Sequence, residues 1–241
     1  MSEYIFNMSS KPKVSLIPWD AESDGHIKAL TSQREECRWH QEKVGVEWKE
    51  QQLKGEKCIY WIVIPTDDSE QREIKAHLDP AKGNEELSDT ATSINGVPRN
   101  ATRQTFIPVG HISLDPKNSD ADKLELNLPP ANVLWIKSFF VSHSFQGQGI
   151  GRAAMDEVED MATQPPLSAK TLMLDTVQKD DQVSLGFAEE FFGDTSKVVN
   201  EAWYRRRGYE LIKTVQNYYR VADKTGKVWD AKTVFMRKDI S

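Results

Sequence analysis

Apolar positions fall into short runs along this chain, and their spacing switches between strand and helix periods. Val14 to Trp19 predicts an opening strand, with Asp20, Ser23 and Asp24 as ready caps for a following helix. Ile27, Leu30 and Cys37 recur near helical spacing and predict that helix over 25–40. Val44 and Trp48, at i and i+4, predict a second over 42–54, closed by Gly55. Cys58 to Ile64 is a β-branched and aromatic run ended by Pro65, the pattern of a buried central strand. Runs at 106–114 and 133–141 predict two more strands, separated by a polar loop that ends in Pro129-Pro130. A helix follows over 149–163, stopped by Pro165-Pro166, and then a strand over 171–175. After a connection from Gln178 to Ser196, a helix over 197–207 is capped by Gly208. Strands at 209–219 and 232–237, with a turn near 223–226, close the chain. Successive strands with no helix between them favour an α+β, antiparallel-rich sheet over a doubly wound one.

One stretch breaks the pattern. Residues 66–105 hold only Ile74, Leu78, Leu87, Ile94 and Val97 as large aliphatics, too few to fill a core, so they read as a polar insertion within one domain over 14–240. Residues 1–13 read as a tail. With 31 Lys+Arg against 37 Asp+Glu, the net charge of −6 argues against nucleic acid or an anionic membrane as partner. The longest apolar run, Cys58 to Ile64, is far short of the ~20 residues that span a bilayer. Two cysteines and no basic-then-apolar leader suit a reduced, soluble, cytoplasmic protein without a signal peptide, a monomer or homodimer.

The candidate chemistry sits between Trp135 and Met155. An apolar strand runs into a short link, then glycines at 147, 149 and 151, then a helix. Such glycines let main-chain N–H groups approach a bulky anion, and the helix N-terminus adds partial positive charge, so the geometry suits a pyrophosphate. A turn that binds nothing is the plain alternative. A P-loop is excluded because Arg152-Ala153 follow Gly151 where Lys-Ser/Thr is required. A dinucleotide fingerprint, Gly149 to Ala154 with Asp175 about twenty residues on, remains open, although Ser142 to Gln148 separate it from its strand.

Val141 followed by Gln146-Gly147-Gln148-Gly149-Ile150-Gly151 resembles the Q/R-x-x-G-x-G/A coenzyme A loop of the GNAT superfamily of N-acetyltransferases. Trp203-Tyr204-Arg205-Arg206-Arg207-Gly208-Tyr209 is similar to that family's Leu-Tyr-x-x-x-Gly-Phe ending, and the layout from Val14 to Lys238 fits its order of elements. The resemblance implies the GNAT fold, a mixed central β-sheet flanked by helices on both faces, and an acetyltransferase with acetyl-CoA as co-substrate. It implies that the main chain of Phe139, Phe140 and Val141 meets pantetheine. Gln146, Gly147, Gln148, Gly149, Ile150, Gly151 and Arg152 would hold the phosphates. The sequence departs from the family where an Asn seven residues before the tyrosine and an Ala four before it are common: Lys197 and Asn200 stand there. Asn200, at i, i+4 from Tyr204, is the candidate on that helix for the cofactor arm.

Acetyl transfer needs a neutral amine, a donor at the oxyanion and a proton for the leaving thiolate. By resemblance Tyr204 supplies that proton, and a phenol of pKa ~10 stays loaded at neutral pH. Asp175, at a strand end, is one candidate base; Glu35, Glu36, Glu42 and Glu47 are others. Trp39, Trp48 and Trp61 either line an acceptor pocket or fill core, and Phe187, Phe191 and Phe192 form either a lid or a satellite cluster. Arg205 to Arg207 suit the C-terminal end of a helix dipole. No metal is expected: Cys37, His40 and Cys58 lack the partners of a tetrahedral set. The acidic balance suits a cationic small-molecule amine as acceptor.

Overall fold

The computed structural model of the chain describes residues 13–65, 85–192, 198–219 and 226–240. The tail to residue 12, the first part of the polar stretch (66–84), Lys197 and Asp223 lie outside them. The chain divides into two compact units, Met1–Lys117 with Ile136–Pro166, and Asn118–Trp135 with Leu167–Ser241.

The first unit opens with strand β1 (Ser15–Pro18) and helix α1 (Asp24–Cys37). Ser23 caps α1, its hydroxyl accepting from the His26 N–H. The expected extension to His40 does not form. Arg38 and His40 are left-handed (φ 66° and 59°), and the Arg34 Nε donates to the Trp39 carbonyl at 2.7 Å, turning the chain away. The second predicted helix is likewise broken, into a 3₁₀ turn (Gln41–Lys43), a π turn (Val44–Trp48) and helix α2 (Lys49–Leu53). Gly45, a weak helix former, sits where the wider turn opens. Val44 and Trp48 are both buried as their spacing predicts, and Gly55 closes the stretch at φ 69°.

Strand β2 (Ile59–Val63) is buried at every residue, as its apolar run requires. It pairs antiparallel with β1, and on its other side with a later strand that starts at Pro108. Between them come β3 (Leu87–Ser88), β4 (Ser93–Ile94), β5 (Val97–Pro98) and β6 (Thr105–Phe106), with β3 paired to β6 and β4 to β5. A polar network orders this part. The buried Asp89 carboxylate takes both Arg99 terminal nitrogens at 2.6 and 2.8 Å, and the Thr102 N–H and hydroxyl at 2.9 and 2.7 Å. These bonds, Arg99's first, hold the Asp89 carboxyl down at about 2. The run predicted as one strand over 106–114 is split. Pro108, which has no N–H to give, starts β7 (Pro108–Asp115), and the β2 register shifts opposite it, between Ile62 and Val63.

Strand β8 (Val133–Val141) begins in the second unit and ends in the first, with the bounds its apolar run predicts. Helix α3 (Ile150–Thr163) completes the first unit, and its Ile150, Ala154, Met155, Val158 and Ala162 are buried at helical spacing. The hydrogen-bonded strand order here is β1-β2-β7-β8. A core around Trp19, Leu30, Trp48, Trp61 and Phe106 fills the unit.

In the second unit, β8 pairs parallel with β9 (Thr171–Val177), registered from Val133↔Thr171 to Trp135↔Met173. The connection from Gln178 folds into α4 (Lys179–Gln182) and α5 (Leu185–Phe192), the latter over the helically spaced Phe187, Phe191 and Phe192. Helix α6 (Asn200–Arg206) and the strands β10 (Glu210–Gln216) and β11 (Lys232–Asp239) follow, in the order β8-β9-β11-β10. The β8–β9 pairing is parallel, while β9–β11 and β11–β10 are antiparallel. The sheet is therefore mixed, and the architecture α+β. Among the described residues, no helix is long and apolar enough to cross a membrane.

Candidate active site

The residues singled out from sequence fall in two groups, one in each unit. In the first unit, β8 is not a plain strand. Ser138 stands at φ 50°, a left-handed kink inside it, which for a non-glycine residue costs of order 1–3 kcal/mol. The Lys137 carbonyl just before the kink accepts from the Ser113 hydroxyl at 3.0 Å. Beyond it come Phe139, Phe140 and Val141. The Phe140 ring packs against the rings of His111 (5.8 Å) and His143 (5.6 Å). Gly110 of β7 passes so close that a Cβ there would stand 2.3 Å from the Phe140 carbonyl oxygen.

Next comes a 3₁₀ turn (His143–Phe145) and the glycine loop. Its side chains fold back onto the main chain: Gln146 Nε2 donates to the Val141 carbonyl at 2.9 Å, and Gln148 Nε2 to the Ser144 carbonyl at 3.1 Å. Gly147 and Gly149 are exposed at φ 79° and 84°, and a Cβ on Gly147 would meet nothing within 4 Å. The N–H groups of the first α3 turn, from Ile150, Gly151 and Arg152, have no intrahelical acceptor. Arg152 is exposed, and Phe139 Cζ lies 3.5 Å from a Cβ built on Gly151. An open, donor-rich loop at a helix N-terminus fits a pyrophosphate such as that of coenzyme A.

Glu36 of α1 was one of several base candidates, and its carboxylate is already engaged. It accepts from the Ser142 hydroxyl and the His143 N–H, each at 2.8 Å, which ties α1 to the start of the loop. Glu47 pairs with Lys43 at 3.2 Å, and Glu42 lies 3.6 Å from His40. Trp48 and Trp61 are core. Behind β8, the fully buried His111 bonds Gln33 through Nδ1 (2.7 Å) and Arg34 through Nε2 (3.4 Å). Burial, then Arg34 and Lys57, hold the imidazole well below its ordinary pKa, so it is neutral. With Nδ1–H donating to Gln33, Nε2 is left to accept from Arg34.

In the second unit, Tyr204 of α6 is buried. Burial first, then the Asp175 charge, push its phenol upward, so it keeps its proton throughout the neutral range. Asp175 lies inside β9, not at a strand end as its short predicted strand placed it. Its Oδ2 accepts from the Tyr219 hydroxyl, while Oδ1 is buried without a hydrogen-bond partner among the described residues; so is the Tyr218 hydroxyl. The charges of Asp175, Asp120 and Asp122 all bear on Tyr218, so the surroundings are electronegative. Asn200 opens α6 with its N–H on Gln182 Oε1 at 2.9 Å. Arg205 pairs with Glu201 at 3.0 Å, and Arg207 lies over the Trp203 ring at 5.5 Å. Phe187 and Phe191 are buried against each other and Trp229, a satellite cluster. No group of three or more His, Cys, Asp and Glu among the described residues could hold a metal ion.

Residues 59–194, over half of the sequence, match the family model described as the acetyltransferase (GNAT) family. The chain belongs to the GNAT acetyltransferase family. That membership makes it an acyltransferase by kind and decides against hydride transfer as the meaning of the glycines. The GNAT fold is shared with solved structures of low identity. One is an aminoglycoside 6'-N-acetyltransferase complexed with coenzyme A, 14% identical, covering 95% of this chain and 97% of that one, with a TM-score of 0.50. Another is a GNAT-family protein from Desulfovibrio desulfuricans, 12% identical over 95% and 99% of the two chains, also at 0.50. Arabidopsis thaliana NAA60 in complex with acetyl-CoA aligns at 12% identity over 95% and 99%, with a TM-score of 0.49. No curated protein sequence matches the chain.

Three features of the GNAT chain had no sequence signal: the Ser138 kink, the Glu36–Ser142 tie and the close approach at Gly110. Each depends on a partner distant in sequence.

Proposed function

We propose that this GNAT chain moves an acetyl group from acetyl-CoA to a primary amine of a small molecule, by direct attack in a ternary complex, within a single catalytic domain over 14–240. The observation that carries the reading is the acid and base of the second unit: the buried Tyr204 phenol, and the Asp175 carboxylate whose charge bears on it. The electronegative surroundings of Tyr218 favour a cationic acceptor.

The main chain of Phe139 to Val141 would hold the pantetheine arm, and Gln146 to Arg152 the phosphates. When bound, acetyl-CoA supplies a reactive acetyl thioester. Asp175, through its unpartnered Oδ1, takes a proton from the ammonium so that nitrogen can attack. A C–N bond forms and the C–S bond breaks. Tyr204 gives its proton to the departing sulfur, the second proton shed by nitrogen restores the phenol, and Asp175 releases the first to water.

The test is thiol release from acetyl-CoA against a panel of small amines, with calorimetry for coenzyme binding. Tyr204→Phe should lower kcat well over tenfold while acetyl-CoA affinity stays near wild type. Unchanged kcat would remove Tyr204 from the reaction. Tight coenzyme binding with no release from any amine would point instead to an acyl-CoA sensor.

A further inference from the structure

Beside the kink in β8 lies a buried charged network that the reaction scheme does not use. Lys57 Nζ donates to Asp115 Oδ2 at 3.0 Å and to the Ser113 hydroxyl oxygen at 3.2 Å, and Asp115 Oδ1 takes the Cys58 N–H at 2.9 Å. The Lys57 and Asp115 side chains are 5% and 4% exposed. Burial lowers the Lys57 ammonium's pKa, and Asp115 opposes that shift. Lys57 also stands over the Trp48 ring at 4.7 Å. A buried ion pair is a poor way to gain stability, since apolar residues of equal volume often do as well or better. Its retention calls for another use, and the geometry supplies one.

The Ser113 hydroxyl has one hydrogen and two acceptors in reach: Asp115 Oδ2 at 3.2 Å and the Lys137 carbonyl at 3.0 Å. Lys57 already donates to both the Asp115 oxygen and the Ser113 oxygen. The Lys137 carbonyl is the nearer acceptor for the serine hydrogen, and it belongs to the peptide that leads into Ser138 and its left-handed turn. We infer that Lys57, Asp115 and Ser113 are positioning residues for acetyl-CoA: they hold the Lys137–Ser138 peptide in its kink and so set the direction of the Phe139–Val141 main chain. The inference rests on the proposed role of that segment in binding pantetheine.

The experiment is calorimetric titration of acetyl-CoA into wild type and variants, with melting temperatures alongside. Ser113→Ala should weaken binding about fivefold to tenfold, the factor expected for one net hydrogen bond. Ser113→Thr, which keeps the hydroxyl, should bind within twofold of wild type. The decisive variant is Ser113→Ala combined with Ser138→Gly. Glycine enters the left-handed region without the cost a side chain carries, so affinity should return to within twofold of wild type although Ser113 is gone. Ser138→Val, with Ser113 intact, should weaken binding at least as much as Ser113→Ala, which covers the case in which that variant fails to fold. Unchanged affinity in Ser113→Ala or Ser138→Val, or a double variant no better than Ser113→Ala, overturns the inference while the coenzyme reading stands. Wild type that does not bind acetyl-CoA at all overturns both.

Discussion

Gly110 is the position where a single methyl group should do the most damage for its size. A Cβ there would lie 2.3 Å from the Phe140 carbonyl oxygen and 3.0 Å from the Val141 Cα, whereas ordinary contact begins at 3.4 Å. Both obstacles are backbone, so no rotamer change relieves them. The two strands would have to part by roughly 1 Å, which stretches the neighbouring bond from the Ser142 N–H to the Val109 carbonyl, now 2.9 Å, beyond useful length. Overpacking of this kind costs about 1–3 kcal/mol. For a chain of this length that corresponds to a melting temperature lower by roughly 2–12 °C. Because the displaced atoms belong to the segment proposed to hold pantetheine, Gly110→Ala should also weaken acetyl-CoA binding at least fivefold. The control is Gly147→Ala. Its Cβ meets nothing within 4 Å, and only the φ of 79° is unfavourable, so the melting temperature should move less. Scanning calorimetry and isothermal titration read both quantities. A Gly110→Ala protein that melts within 1 °C of wild type and binds acetyl-CoA equally would refute the close-approach reasoning.

Two further outcomes are expected. Asp175→Asn should lower kcat by about a hundredfold or more, as loss of a general base does, with acetyl-CoA affinity retained; a loss confined to affinity would assign Asp175 to binding instead. Buried, neutral His111 should make stability depend on pH: unfolded, it takes a proton as pH falls through ~6.5, and folded it does not. Stability held above that pH is therefore lost below it, at up to ~1.4 kcal/mol per unit. His40, lowered to about 4 by burial and then Arg34, adds to the slope down to that pH. His111→Gln should flatten the fall in melting temperature between pH 7 and 5, and an unaltered slope would exclude His111 as its source.

What the sequence made legible was local. Val133–Val141 and Ile150–Thr163 were readable because continuous or helically spaced apolar residues are bounded by prolines and glycines, and those signals act over a few residues. The helix that carries Tyr204 and the glycine turn into α3 were readable for the same reason: each pattern is contiguous. The breaks were not. Nothing in Gln41 to Leu53 marks a π turn, and Pro108 splits a strand only because β2 shifts register across from it. The polar run after residue 85 reads as an insertion without a core of its own, and the aliphatic count does not show what one buried carboxylate with four donors can do there. Ser138 carries no mark of a left-handed residue, and its support comes from Ser113, 24 residues back from the carbonyl it holds.

That last point bears on how this family's loop is made rigid in this chain. In the proposed role, β8 offers the main chain of Phe139 to Val141 to the coenzyme, and groups kept for a ligand are not also paired within the sheet, so the strand's course has to be fixed by other means. Here side chains fix it at both ends. Before Phe139, the Ser113 hydroxyl holds the Lys137 carbonyl; after it, Gln146 holds the Val141 carbonyl, and Glu36 holds Ser142 and the His143 N–H. In the middle, Phe140 packs against two imidazole rings. Fixing a segment before the ligand arrives removes ordering entropy from the binding step. In the proposed role of that segment, the buried Ser113, the partly buried Glu36 and the exposed Gln146 have a use that stability alone does not explain. Substitutions at Ser113, Glu36 and Gln146 should be felt first in coenzyme affinity and only second in melting temperature.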